Sequence, residues 1–261
     1  FSVTASNKRV RALAGCMERD AIAPHLFGNF ADMLIAVTQH PAMLLYLNNA
    51  SSFGDNSRLG KRKSKGLNEN LAREILELHT LGVEGGYTQE DVIELAKAIS
   101  GWTTPGLRER SPDAHTFRFR TEGHEPGSRT LMGTRYADNG VQQGVAMLQD
   151  LAVHPSTARF VSFKLARHLV ADEPPQTLVQ AMTDTWLSSG GNLKLVVETL
   201  LEHDLAWDRR QQKFKTAREF VISAFRVLGR RNLKERDALS RLTIMGQRPF
   251  GAGSPAGYGD E

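Results

Sequence analysis

The residues best suited to chemistry are concentrated in one short stretch, residues 68–82, which combines carboxylates, amides, an arginine and a histidine in a helical pattern. At about 100° per residue, apolar and polar residues separate onto two faces. The apolar arc consists of Leu71, Ala72, Ile75, Leu76 and Leu78. The polar face consists of Asn70, Arg73, Glu74 and Glu77. These four, with His79, are the catalytic candidates.

Glu74 and Glu77 stand three residues apart, so their side chains are neighbours on a helix. If another element covers this face, the carboxylates must be paired, protonated or bound to a cation. They could then hold a metal or act as acid and base with separated pKa values. The alternative, favoured by spacing alone, is a solvated ladder in which Arg73 pairs with Glu69 and Glu77.

His79 falls inside the apolar arc, so we expect its ring to be buried. A buried polar group without a hydrogen bond costs about 1–3 kcal/mol. The favoured interpretation is a core histidine that ties this helix to the backbone of a neighbour. The functional alternative makes His79 a partner of the glutamates.

Two further histidines, His40 and His154, each precede a proline. A residue before proline is pushed towards extended geometry, so both are predicted to initiate helices rather than to bind a ligand. His115, His168 and His203 are interpreted as surface or packing residues.

His25 follows Pro24 and is ambiguous. Together with His40, His79 and a glutamate it could form a metal site if the helices converge. No HExxH motif or paired i, i+4 histidine spacing supports such a site, and the metal and cofactor stay unknown.

Apolar residues recur at spacings of three and four through most of the chain, which predicts nine or ten helices and a mainly α fold of αα-hairpins. Within the central hairpin, Thr88 is predicted to cap the second helix with Asp91 at its third position. We expect a single helical domain over residues 1–250, with two subdomains, 1–110 and 134–250, as an alternative. Residues 251–261 form a Gly/Pro-rich tail, and the chain is expected to be a fragment of a longer protein.

The strand signals are confined to residues 116–120 and 128–132, which predict one small β-hairpin near residues 116–132. Its loop, residues 121–127, carries His124 and Glu125, which we expect to be exposed or to cover another part of the molecule. These two residues, with His25 and His40, are the binding candidates. The basic run at residues 61–65 suggests an anion site, although a solvated loop is favoured.

The amino-acid composition argues against several classes of function. The 261 residues carry 33 basic and 29 acidic side chains, a formal excess of +4, which is too small to predict a nucleic-acid partner. The single Cys16 excludes an intrachain disulfide and thiolate zinc clusters. No stretch of about eighteen apolar residues exists, so no transmembrane segment is expected.

The block NENLAREILELHTLGVEGGYTQEDVIELAKAISGW, residues 68–102, resembles the signature of the bacterial family called domain of unknown function 1800. HPAMLLYLNN before it, and the FRFR, HPSTARFVSFKLARHLVAD and MGQRPF segments after it, are also similar to the family. The sequence departs from the pattern at Ala23, where many members have arginine, at Glu125, where aspartate is usual, and at Tyr258, which replaces a common tryptophan.

The resemblance implies a mostly helical bacterial protein with no established activity. Many members carry export signals, so a periplasmic or secreted location is expected, and an export-associated protein encoded by a neighbouring gene is a candidate partner. One functional hypothesis is an exported protein with a Glu/His polar site that is hydrolytic or metal-assisted, in which a glutamate takes a proton from water. The alternative is a non-catalytic binding or assembly module for a protein partner or an acidic envelope polymer.

Overall fold

A computed structural model describes residues 1–5, 7–63, 66–105, 115–207, 213–230, 232 and 234–258. Within these residues the chain is mainly helical, as predicted, with twelve α-helices. The helices are α1 (Lys8–Met17), α2 (Phe30–Gln39), α3 (Pro41–Tyr46), α4 (Arg58–Lys63), α5 (Asn70–Glu74), α6 (Gln89–Ala98), α7 (Val141–Ala152), α8 (Pro155–Leu169), α9 (Gln176–Ser189), α10 (Leu193–Glu202), α11 (Ala217–Val227) and α12 (Glu235–Ile244). The count exceeds the predicted nine or ten because several helices are short.

Two α-helices continue into π-helical segments. α1 is followed by Glu18–Ile22, and α5 is followed by Ile75–His79. The wider π turn changes the direction of each side chain, and such segments are often found at functional sites. This explains why Leu78, predicted to be buried on the apolar arc, is only half-buried.

The strands form two small antiparallel pairs rather than the predicted pairing of 116–120 with 128–132. β1 (Trp102–Thr103) pairs with β2 (Arg118–Phe119), and β3 (Arg129–Leu131) pairs with β4 (Thr134–Tyr136). The small hairpin is thus β3–β4. Its two-residue turn places Met132 at φ 48° and Gly133 at φ 80°, as a type I′ turn requires. The predicted partner strand was wrong because a methionine in this conformation gives no turn signal.

One contiguous apolar core extends from Val3 to Leu200 and is formed by α1–α3 and α5–α10, with Trp102, Leu131 and Tyr136 from the strands. Trp102 and Trp186 are its largest fully buried side chains. The Trp186 indole donates to the carbonyl oxygen of Ala152 at 3.0 Å, which satisfies its polar atom inside the core. This core fixes the positions of α5 and α6. Among the described helices, none has the length and apolar character needed to cross a membrane.

The C-terminal part lies at the edge of this core. α11 buries Ala217 and Val221, whereas α12 buries no residue. The described part of the predicted tail is held by the N-terminal segment, where the Thr4 hydroxyl donates to the carbonyl oxygen of Ala252 at 2.7 Å and Ser2 donates to that of Pro255 at 2.8 Å. The division into domains stays a prediction.

Candidate functional site

The central hairpin comprises α5, its π-helical extension and α6. The Thr80 hydroxyl donates to the carbonyl oxygen of Ile75 at 2.6 Å where the first arm ends. The predicted capping box of α6 is confirmed: the Thr88 side chain accepts from the Asp91 amide, and Asp91 accepts from the Thr88 amide. Asp91 also accepts from the Met132 amide at 2.7 Å. The start of α6 is therefore tied to the β3–β4 hairpin.

Glu74 and Glu77 are half-buried neighbours on the first arm. Burial raises the pKa of Glu74, the negative charge of Glu77 adds to the increase, and Arg73 opposes it. Burial and then the charge of Glu77 also raise the pKa of Tyr87, which lies in the loop before α6. The structure thus brings both candidate carboxylates together with a phenol that the sequence analysis did not single out.

Arg73 belongs to a neighbouring polar network. Its guanidinium donates to a Glu69 carboxylate oxygen at 3.1 Å, which confirms one of the two predicted pairs, and to the side-chain Oε1 of Gln89 at 2.9 Å. The predicted pair of Arg73 with Glu77 is not found among the described residues. Gln89 completes the triangle by donating to Glu69 at 2.8 Å. Gln89 was missed, although its place at the start of α6, across the hairpin from α5, was a usable signal. Asn70 is exposed at the start of α5.

His79 is buried, as predicted, but the predicted hydrogen bond to the backbone of a neighbouring element is not found among the described residues. Its ring centroid lies 4.9 Å from that of Phe1, and its Nδ1 has no hydrogen-bond partner among the described residues. Burial lowers its pKa well below the ordinary value, and nearby positive charges act in the same direction. The ring is therefore buried in the core, and neither glutamate is among the causes of its lowered pKa.

His40 and His154 initiate helices, as predicted. The Nδ1 atom of His40 accepts from the Ala42 amide at 3.1 Å, and that of His154 accepts from the Ser156 amide at 3.2 Å. His203 makes the same contact with the Leu205 amide at 3.2 Å. Burial lowers the pKa of His40, although the Asp20 carboxylate opposes this effect. Because Nδ1 is an acceptor in each case, these rings have one nitrogen committed to the helix start.

His25 is half-buried in the short 3-10 segment Ala23–His25. Within the described residues, no three histidine, cysteine or carboxylate side chains lie close enough together to hold a metal ion. The arrangement that would join His25, His40 and His79 to a glutamate is therefore not formed by these residues.

His124 and Glu125 are buried rather than exposed, so the loop covers another part of the molecule. Glu125 accepts from the amide and the side-chain amide of Asn56 at 2.8 and 2.7 Å, and its own amide donates to Ser100. His124 Nδ1 lies 3.2 Å from the Ser100 carbonyl oxygen, and burial lowers its pKa. These contacts hold the loop against the turn that follows α6 and against the segment before α4.

An exposed surface on α11 and α12 and the residues beside them, called here the C-terminal surface, was not predicted from the sequence. The exposed large apolar side chains of this surface are Phe214, Phe220, Ile222, Val227, Leu228, Leu239, Ile244 and Met245. Val227 and Ile244 are 87% and 82% exposed. Residues 213–248 carry ten basic and three acidic side chains, so the positive excess of this segment is larger than that of the whole chain. The signal was present in the local composition, but only the structure shows that the apolar residues lack cover.

A cleft of about 450 Å³ lies at the base of the C-terminal surface. Its wall includes Val3 and Met17 from the core side, Arg218 of α11, Leu242 of α12, and Phe250. The C-terminal surface is therefore concave at the cleft, and a binding partner with a flat surface would leave the cleft empty.

Comparison with known proteins gives one match. The family model described as "Protein of unknown function (DUF1800)" matches residues 1–261, the whole chain. Neither a curated protein nor a solved structure gave a match. Because the family model covers the full chain, the protein belongs to the DUF1800 family of proteins of unknown function.

Proposed function

We propose that this chain is a non-catalytic binding module that docks an acidic protein partner through the C-terminal surface. The observation that carries the proposal is the coincidence of exposed apolar side chains on α11 and α12 with the excess of basic residues in segment 213–248, where most of the excess lies in the residues that flank the two helices. Contiguous apolar surface rimmed by polar residues marks interaction sites in soluble proteins.

The charge and shape of the surface favour one class of occupant. A second copy of the chain would bring like charges together, which costs free energy and opposes self-association. An acidic protein would complement the arginines, a residue type enriched in interfaces, and side chains that protrude from it would enter the cleft of about 450 Å³. An anionic lipid surface matches the charge but not the concave part.

Site-specific photo-crosslinking tests this proposal. A photoreactive amino acid at Val227, in the parent protein in its own cells, is expected to give an adduct with one acidic protein, whereas the same group at Val83, 69% exposed on the central hairpin, gives none. The partner is then purified, and Val227→Asp combined with Leu228→Asp is expected to weaken its binding at least tenfold. Adducts only with lipid or with a second copy, equal adducts at both positions, or no adduct contradict the proposal.

A second candidate function is acid–base catalysis by Glu74 and Glu77. It is supported by the raised pKa of Glu74 beside Glu77, because paired carboxylates with separated pKa values are suited to proton transfer. Carboxyl NMR titration tests it: the pKa of Glu74 should be higher than that of an unperturbed glutamate, and it should fall in Glu77→Gln. An ordinary titration of Glu74 in the wild type removes the physical basis for this candidate.

The proposed compartment is the periplasm or the exterior of a bacterial cell, as the family resemblance implies. Fractionation of cells that produce the parent protein tests this. Recovery in the cytoplasm would contradict it.

A further inference from the structure

Three arginines from two distant segments line one small polar cavity. Arg58 and Arg62 stand one turn apart on α4, and Arg120 follows β2. The cavity has a volume of about 330 Å³, and Leu59 and Glu122 complete its wall. We call this cavity the arginine pocket. It is separate from the central hairpin and from the C-terminal surface.

The backbone on both sides of the arginine pocket is held in place by buried contacts. The Gly54 amide donates to the Gly123 carbonyl oxygen at 3.0 Å, which joins the segment before α4 to the segment after Arg120. The buried Glu125 carboxylate accepts from both nitrogens of Asn56. A Cβ atom at Gly60 would lie 2.1 Å from the Gly54 carbonyl oxygen, so α4 approaches this segment as only glycine allows.

The arginine pocket has an excess of positive charge. Among the described residues, none of the three guanidinium groups has an ion pair or hydrogen bond, and Glu122 is the one carboxylate in the wall. Like charges that converge on one cavity repel each other, and a bound anion removes that repulsion. Arginine forks donate paired hydrogen bonds to phosphate and carboxylate oxygens, which is the usual use of such an arrangement.

We propose that the arginine pocket binds a phosphoryl group. Guanidinium groups that approach from two sides match the tetrahedral arrangement of phosphate oxygens better than the planar carboxylate, which a single fork satisfies. The volume lies at the lower end of ligand pockets, so the bound part is a small phosphorylated group rather than a large cofactor. The group can belong to a free small molecule or to a phospholipid headgroup. The inference does not depend on the proposed docking function.

Calorimetric titration of the folded chain with inorganic phosphate at constant ionic strength tests the proposal. The wild type is expected to bind phosphate at least tenfold more tightly than acetate. Arg62→Gln combined with Arg120→Gln should weaken phosphate binding at least tenfold, whereas the control Arg135→Gln, which changes an exposed arginine of β4, should leave it unchanged. Arg120→Lys keeps the charge but not the fork, and an intermediate loss is expected.

Circular dichroism checks that each variant is folded. If a variant with Arg120→Gln does not fold, Arg62→Gln alone is used instead of the double variant. Arg62 is exposed, so its substitution is not expected to disturb the fold. Binding to vesicles that contain a phosphate-monoester lipid distinguishes a lipid headgroup from a free phosphorylated molecule as the ligand. If inorganic phosphate competes with the vesicles for the chain, the vesicles bind at the arginine pocket. Equal affinity for phosphate and acetate, or phosphate binding that the arginine variants do not weaken, would overturn the proposal.

Discussion

Two helical hairpins of this chain, α5–α6 and α11–α12, each contain a helix that starts with a capping box, but they lie in different environments. α6 and α11 each start with a capping box, Thr88 with Asp91 and Thr216 with Glu219. α6 buries four residues in the core, whereas α11 buries two and its partner α12 buries none. The difference teaches that capping and periodicity specify a helix, while the rest of the molecule decides whether its apolar face is covered. This difference is the basis of the docking role proposed for the second hairpin.

The two hairpins are expected to differ most in the stability lost when an apolar side chain is shortened to alanine. Leu95→Ala, at a fully buried position of α6, is expected to lower the free energy of unfolding by about 2–5 kcal/mol through lost transfer energy and a cavity. Ile244→Ala, at an 82% exposed position of α12, should change it by less than about 0.5 kcal/mol. Chemical denaturation measures both. Similar losses would mean that α12 is as well covered as α6, and the comparison would fail.

Removal of the two capping boxes is expected to give a smaller difference in stability between the same two hairpins. Thr88→Ala should cost about 1–2 kcal/mol because Asp91 also holds the Met132 amide, so the cap supports part of the folded core. Thr216→Ala is expected to speed amide hydrogen exchange in α11 with little effect on global unfolding. In the described residues, Glu219 accepts hydrogen bonds only from Thr216. Equal global costs for the two substitutions would contradict this.

Asp91 should make the first hairpin sensitive to acid. Burial opposes its charged form, but hydrogen bonds from Met132 and Thr88 outweigh this and lower its pKa. A lowered folded pKa gives stability that is present above the unfolded value of about 3.9 and lost as the pH falls through the folded value. The stability difference between wild type and Asp91→Asn should therefore shrink from pH 5 to pH 2, as followed by denaturation. A constant difference would show that the charge of Asp91 contributes nothing.

The smallest expected effect is that of Glu74, whose pH dependence of stability is opposite to that of Asp91. The raised pKa of Glu74 means that its ionised form is disfavoured in the folded state, so folding loses stability as the pH rises above the unfolded glutamate value of about 4.3. Glu74→Gln removes this loss and should slightly stabilise the chain at pH 7, with no gain at pH 3. Destabilisation by Glu74→Gln at pH 7 would instead indicate a stabilising partner for the carboxylate.

Local signals predicted much of the first hairpin. The capping box, the Glu69–Arg73 pair and the burial of His79 follow from spacing and periodicity alone, and the structure confirms each. The π-helical turn at Ile75 was not predicted, because the segment Ile75–His79 contains no proline or glycine that would signal a change in the helix. It rotates Leu78 away from the expected face.

Contacts between distant segments account for the remaining differences. The buried position of Glu125 depends on Asn56, and the position of Arg120 opposite α4 depends on the pairing of β2 with β1. No helical or strand period encodes such contacts. Likewise, the apolar pattern of α11 predicts a helix with a buried face, and only the three-dimensional arrangement shows that Val227 and Ile244 are uncovered.

The most direct test of the docking role is the dissociation constant of the purified crosslinked partner for two charge-reversed variants. Arg226→Glu with Arg236→Glu changes the C-terminal surface, and Lys8→Glu with Arg9→Glu applies the same change in net charge at the exposed start of α1. We predict at least tenfold weaker binding for the first variant, unchanged binding for the second, and unfolding free energies within about 0.5 kcal/mol of the wild type for both. Equal binding by the two variants would contradict a docking role for α11 and α12.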